Sequence, residues 1–210
     1  MWNRMDLKMR AKHAFAQNRG ACIGVAIIVA LMSMLMNVIL KILNVLSLEN
    51  ESLLFTVMIL VCMVLYILIL NAISVSECRF FMLNAEGRAG IGAMAEPVKS
   101  GYFGNVLVTM FVQTIFVSLW SFLLIVPGIM KFYEYRMIPY LLAEYPDMER
   151  SEAFRISKEM MTGQKWNLFV LDMSFLGWHV LGACTCGLLN VLYVSPYYQA
   201  TVAEVYRSLK

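Results

Sequence analysis

The chain has 210 residues, of which 60% are hydrophobic and 15% charged, with a formal net charge of +3 and a mean hydropathy of +0.69. Soluble domains run near about 45–50% apolar and about a quarter charged, so a water-soluble fold could not hide this much apolar surface, and the bilayer must be part of the solvent. A disordered chain, a disulfide scaffold and a nucleic-acid binder are excluded as well, the last because +3 is too small to hold a phosphate track.

Residues 1–19 form a basic segment in which Arg4, Lys8, Arg10, Lys12 and Arg19 face only Asp6. It is expected to be helical, with an ill-defined apolar face, and to sit at an anionic leaflet, where each base is worth up to about 1 kcal/mol. The first apolar run, 22–45, carries only Lys41 and is too long for a signal-peptide core of about 7–15 residues. It reads as a retained membrane helix. The runs 53–75 and 106–126 are uncharged, the latter stopped by Pro127-Gly128. All three meet the roughly 20 residues that a hydrocarbon core about 30 Å thick demands.

The C-terminal half is more polar. Residues 129–143 contain Lys131, Glu134 and Arg136; 166–183 hold Asp172 and His179; 187–205 are interrupted at Ser195-Pro196. These read as three further spans whose polar groups look at each other. The alternative, an interfacial or re-entrant 129–145, leaves five. Loop charge favours six. Glu49 and Glu51 mark an outside loop, whereas Arg79, Arg88 and Lys99, then Arg150, Arg155, Lys158 and Lys165, then Arg207 and Lys210, mark inside segments. Both ends on one side require an even number of crossings.

Within residues 146–163 a cytoplasmic amphipathic helix is expected, with Ser151 as N-cap, Glu152 in its first turn and Gly163 as its stop. Ala153, Phe154, Ile156, Met160 and Met161 share one side, and Glu152, Arg155, Lys158 and Glu159 the other. It should lie flat on headgroups or on the protein's own inner face. Residues 99–105 and 161–167 echo each other, each placing a glycine, then aromatic residues, then an asparagine before a crossing; a parallel repeat and coincidence both fit. Cys22, Cys62, Cys78, Cys184 and Cys186 are expected to be buried reduced thiols.

From Pro127 onward several pieces recur in a recognisable order: Val126-Pro127-Gly128-Ile129, Tyr135-Arg136-Met137-Ile138-Pro139-Tyr140, Glu152-Ala153-Phe154-Arg155-Ile156-Ser157-Lys158, Met160-Met161-Thr162-Gly163-Gln164-Lys165, Ser174-Phe175-Leu176-Gly177-Trp178 and Ser195-Pro196-Tyr197, then Thr201 and Tyr206. Over roughly 125–206 the chain resembles the bacterial integral-membrane family catalogued as domain-of-unknown-function family 975. The resemblance implies a multi-span protein of the bacterial plasma membrane and no particular reaction.

Ionised side chains near mid-bilayer cost about 2.5–3.5 kcal/mol, so they mark where chemistry would be. Counted along a helix, Asp172 lies about 10 Å in from Lys165, Arg136 about 12 Å in from Glu144, and His179 and Lys131 each about 20 Å in. Asp172 and His179, seven apart, share a helix face. The expected cluster is an Asp172–Arg136 pair with Glu134 and Lys131 nearby and His179 with Lys131 at a second level; it either fixes packing or forms a polar path for a proton, an ion or a small solute. No metal-ligand spacing, nucleophile elbow or phosphate-cradling loop is present, and Gly87 to Gly92 follow a membrane helix rather than a strand, as a hinge would.

The sequence therefore predicts an all-α, single-domain polytopic membrane helix bundle over 1–210, with six transmembrane helices (five in the alternative) and cytoplasmic amphipathic helices. No catalytic residue, metal or cofactor is expected. The partners expected are the lipid bilayer and a second copy of the chain or another membrane protein. A non-enzymatic accessory or interaction protein is the leading reading, and a small-solute or ion transporter or channel the alternative.

Overall fold

Apolar runs of this length can satisfy their backbone groups only within themselves, and helices result throughout. The structure, a computed structural model, describes residues 3–48, 52–87 and 89–210, and no strand is present among them. The chain runs through α1 (Arg4–Gln17), α2 (Arg19–Leu48), α3 (Leu53–Ala85), a 3-10 turn (Ile91–Ala95), α4 (Glu96–Lys99), α5 (Phe103–Leu123), α6 (Ile125–Glu134), α7 (Ile138–Glu144), α8 (Arg150–Met161), α9 (Lys165–Cys184), a π-helical segment (Asn190–Val194) and α10 (Ser195–Leu209). Glu49, Glu51 and Arg88, which entered the loop-charge reading, lie outside the described residues.

Four helices among the described residues are long and apolar enough to cross a membrane: Arg19–Val45 of α2, and α3, α5 and α9. The other two expected crossings are helical but broken. Residues 129–143 divide into α6 and α7 at a turn over 135–137, with Pro139 opening α7. Residues 187–205 pass through the π-helical segment, where the Ser195 amide bonds back five residues to the Asn190 carbonyl. Pro196, which has no amide to donate, follows in the first turn of α10.

The third run ends earlier than expected. Leu124 is extended (φ −155°, ψ 134°) and α6 begins at Ile125, so Pro127-Gly128 sits in the first turn of the returning helix rather than at the stop. Gly128 is there because α5 and α6 touch: a Cβ at this position would stand 2.5 Å from the Ser121 Cα. The expected echo has a backbone counterpart. Gly101 and Gly163 share φ +75° two residues before α5 and α9 begin. Their asparagines differ, Asn105 donating to the Pro146 and Met148 carbonyls and Asn167 to the Gln164 side chain.

The core lies at one end of the molecule, among α1, the last turns of α3, α7, α8 and α10. α1 has a defined apolar face after all: Leu7, Ala11, Ala14 and Phe15 are buried, with the Lys8 carbonyl accepting from the Tyr197 hydroxyl of α10 (3.4 Å). The helix is fastened to protein. Asn18 donates to Asn84 and to the Ala89 carbonyl, and Asn84 donates to the Ala14 carbonyl, which ties the α1–α2 junction to the end of α3. The N-cap position of α8 is Glu149, which makes no side-chain cap bond, rather than Ser151, whose hydroxyl donates to the Glu149 carboxylate. Its Ala153, Ser157 and Met161 are buried against the protein, choosing between the two resting places expected.

Toward the other end the helices separate. Leu31 and Leu35 of α2, Leu54 of α3 and Phe122 of α5, the last 94% exposed, present apolar faces. Such faces suit acyl chains. All five cysteines are free; Cys22 and Cys78 are buried as expected, but Cys184 and Cys186 are exposed because they border the turn after α9.

Gly128→Ala should lower the melting midpoint of the detergent-purified protein, overpacking of this kind costing about 1–3 kcal/mol. Gly177→Ala in α9, whose Cβ would meet nothing within 4 Å, should leave the midpoint unchanged or raise it.

Candidate functional site

Asp172 stands on α9 two turns past its start, and its carboxylate is held from two sides. The Tyr133 hydroxyl of α6 donates to Oδ2 and the Tyr198 hydroxyl of α10 to Oδ1, each at 2.8 Å. Arg136 donates through Nη2 to the same Tyr198 oxygen, and its guanidinium lies over the rings of Phe132 (4.9 Å) and Tyr198 (5.9 Å). Tyr198 thus passes the influence of a cation to an anion through one phenol. The expected direct Asp172–Arg136 pair is replaced by this relay, because the turn at 135–137 re-aims Arg136 relative to α6.

Glu134 and Lys131 are not part of that cluster. They are three apart on α6 and share a different face from Tyr133. Glu134, 5% exposed, accepts from Lys131 and from Lys165 of α9, both at 2.8 Å. Its backbone carbonyl accepts from Ser157 of α8. Lys131 also lies over the rings of Trp120 and Tyr135. His179 does not join Lys131 in a second level; its ring meets Tyr198 edge-on at 6.2 Å, on the Asp172 side. Of the five expected residues, Asp172, Arg136 and His179 gather around Tyr198, while Lys131 joins Lys165 around Glu134.

A third group was not foreseen. Glu77, in the buried part of α3, accepts from Gln199 of α10 at 2.9 Å. Gln113 of α5 donates to the Tyr135 carbonyl at 3.1 Å, and its Oε1 is buried without a partner. Beside these lies a cavity of about 270 Å³ whose walls include Gln113, Phe132, Arg136, Tyr140, Tyr198 and Gln199. Asp172 is not among its lining residues. Among the described residues no three of His, Cys, Asp and Glu are grouped to hold a metal ion.

Tyr133, Tyr198 and Lys165 were passed over in the sequence because tyrosines count as apolar in a run and Lys165 as a loop charge. A signal existed: a buried phenol needs a partner for its hydroxyl, and Tyr133 is three residues from Arg136. Glu77 lay beyond the expected end of the second span, whereas α3 continues to Ala85.

The fold and site define an all-helical protein with membrane-length helices and an internal polar network. Residues 123–210 match the model of the family described as "Protein of unknown function (DUF975)", and over that stretch the chain is similar to it. The matched stretch carries Tyr133, Arg136, Asp172 and Tyr198, while Glu77 and Gln113 come from outside it. No curated protein and no solved structure matches the chain.

Close to the C-terminus, Glu144 of α7 accepts from the Tyr206 hydroxyl (2.7 Å) and from Lys210. Partial burial pushes the Glu144 carboxyl up, but Lys210, Tyr206 and Tyr145 outweigh it and hold the group below its usual 4.5. Bonding to Glu144 raises Lys210 above 10.5. The Glu144 contribution to stability is therefore fully present above about pH 4.5 and lost as pH falls through the lowered folded value. Melts of wild type between pH 7 and 3 should show this loss, and Glu144→Gln should flatten that part of the profile.

Tyr198→Phe should cost more stability than Tyr133→Phe. It strips a bond from both Asp172 and Arg136, each stranded polar group costing about 1–3 kcal/mol, whereas Tyr133→Phe leaves Asp172 one of its phenols. Melting in detergent compares the two.

Proposed function

We propose that this is a non-enzymatic integral protein of the bacterial plasma membrane, acting as a membrane accessory or interaction component. The observation that carries the reading is the engagement of both Asp172 oxygens. Both of its oxygens are occupied by hydroxyls from two other helices, and Glu134 likewise spends its carboxylate on two lysines. Groups so engaged serve helix packing, since a proton or solute carrier needs an acid that can exchange partners.

The apolar faces of α2, α3 and α5 are the surfaces on which lipid and a membrane partner, a second copy or another protein, would act. A groove of about 570 Å³ between them is lined by Ile28, Met32, Leu65, Leu68, Phe103 and Leu107 among others. Six crossings with both termini in the cytoplasm fit the basic residues of α1 and α8, Arg4, Lys12, Arg150 and Lys158 among them. Nucleic acid is not a partner on this reading.

A second reading, a small-solute or ion transporter or channel around Asp172, is favoured by one observation, the cavity beside Arg136. Asp172→Asn separates the two. On the accessory reading it lowers the melting midpoint by several degrees, and proteoliposomes loaded with a pH-sensitive dye show the same proton flux for variant and wild type. A variant that melts like wild type but loses a proton-coupled flux carried by the wild type would overturn it.

A further inference from the structure

We propose that the cavity beside Arg136 is a binding site for a small organic monoanion, a carboxylate that also carries a hydroxyl. The guanidinium is charged at every accessible pH and offers five N–H donors. Its recorded hydrogen bond goes to a neutral phenol, and none of the ion pairs within 4.0 Å among the described residues includes Arg136. Asp172 reaches this cation only through Tyr198, so most of its donors face no carboxylate directly. The neighbouring acids are engaged elsewhere: Asp172 by Tyr133 and Tyr198, Glu134 by two lysines, Glu77 by Gln199. The donors that Arg136 does not use toward Tyr198 are therefore free for an anion from outside the chain.

Three features narrow its chemistry. The guanidinium fork matches two oxygens in a plane, the geometry of a carboxylate. The Gln113 amide nitrogen is committed to the Tyr135 carbonyl, which fixes the carbonyl oxygen as the free end, and that oxygen is a buried acceptor with no donor. A ligand hydroxyl would supply one. The charge balance favours a single negative charge, because Asp172 stands one phenol away and Glu77 one amide away. The volume, about 270 Å³, lies just below the roughly 300–1,000 Å³ of pockets for drug-sized ligands, which suits a smaller molecule. Met110, Phe132 and Val202 give its hydrocarbon part apolar walls.

The site draws on both halves of the chain. Arg136 and Tyr198 lie within 123–210 and Gln113 outside it, so the hydroxyl preference belongs to this chain's own N-terminal half. The proposal concerns binding and stands whether or not the bound anion is moved across a membrane.

The test is thermal stabilisation of the full chain in neutral detergent, titrated with sodium lactate, sodium acetate, sodium phosphate and sodium chloride at matched ionic strength. Lactate should raise the midpoint saturably, acetate should act with roughly tenfold weaker apparent affinity for want of one hydrogen bond, and chloride should do nothing. Arg136→Gln should abolish the lactate response. Should that variant fail to fold, Gln113→Leu, which leaves the cation in place, should still bind both carboxylates and lose the preference for lactate over acetate. A flat lactate titration overturns the proposal. So does a phosphate or chloride response equal to that of lactate, or a lactate preference that survives Gln113→Leu. Asp172→Asn flux results do not bear on any of these outcomes, so this proposal and the accessory reading can fail separately.

Discussion

One carboxylate joins three helices that have no covalent reason to stay together. Asp172 of α9 is reached by Tyr133 of α6 and Tyr198 of α10, and Arg136 at the break before α7 reaches the same phenol. In lipid the hydrophobic effect does little to hold helices together, so packing and polar contacts must do it. The arrangement gives the anion two charge-assisted bonds without placing a cation directly against it. It also leaves the cation with donors not used by the chain, and the proposed ligand follows from them.

Much of the fold was legible because it follows from solvent. Uninterrupted runs such as 53–75 can only be helices in a bilayer, and the structure extends that one through Ala85. The flat helix at 150–161 was legible from its sided pattern of Ala153, Phe154 and Met161. What the pattern did not contain was where broken helices turn. Leu124 is an ordinary apolar residue that happens to be extended, and the bend at 135–137 lies among residues with no breaker until Pro139. Periodicity has no term for either.

The site was legible by charge and illegible by partner. Cost arguments found Asp172, Arg136, Glu134, Lys131 and His179, since each is expensive in lipid. They could not say which would meet, because a shift of one residue at the 135–137 turn swaps faces. Tyrosine escaped notice for a physical reason: its ring is paid for by burial like any apolar group, and its hydroxyl declares itself only when a partner is seen. Lys165 looked like loop charge until α9 began there and brought it against Glu134.

The π-helical segment at Asn190–Val194 has a further consequence. Each residue along a helix advances about 100° around its axis, and a π-bulge behaves as one residue added to an otherwise regular coil. The azimuth of everything downstream, Tyr197, Tyr198 and Tyr206 included, is therefore set by the residue count of a five-residue stretch. Gly182 of α9 accommodates the stretch by leaving room for the Asn190 side chain. A relative one residue shorter here would turn the whole terminal helix by about a quarter of a circle, and would have to find a different residue to do what Tyr198 does.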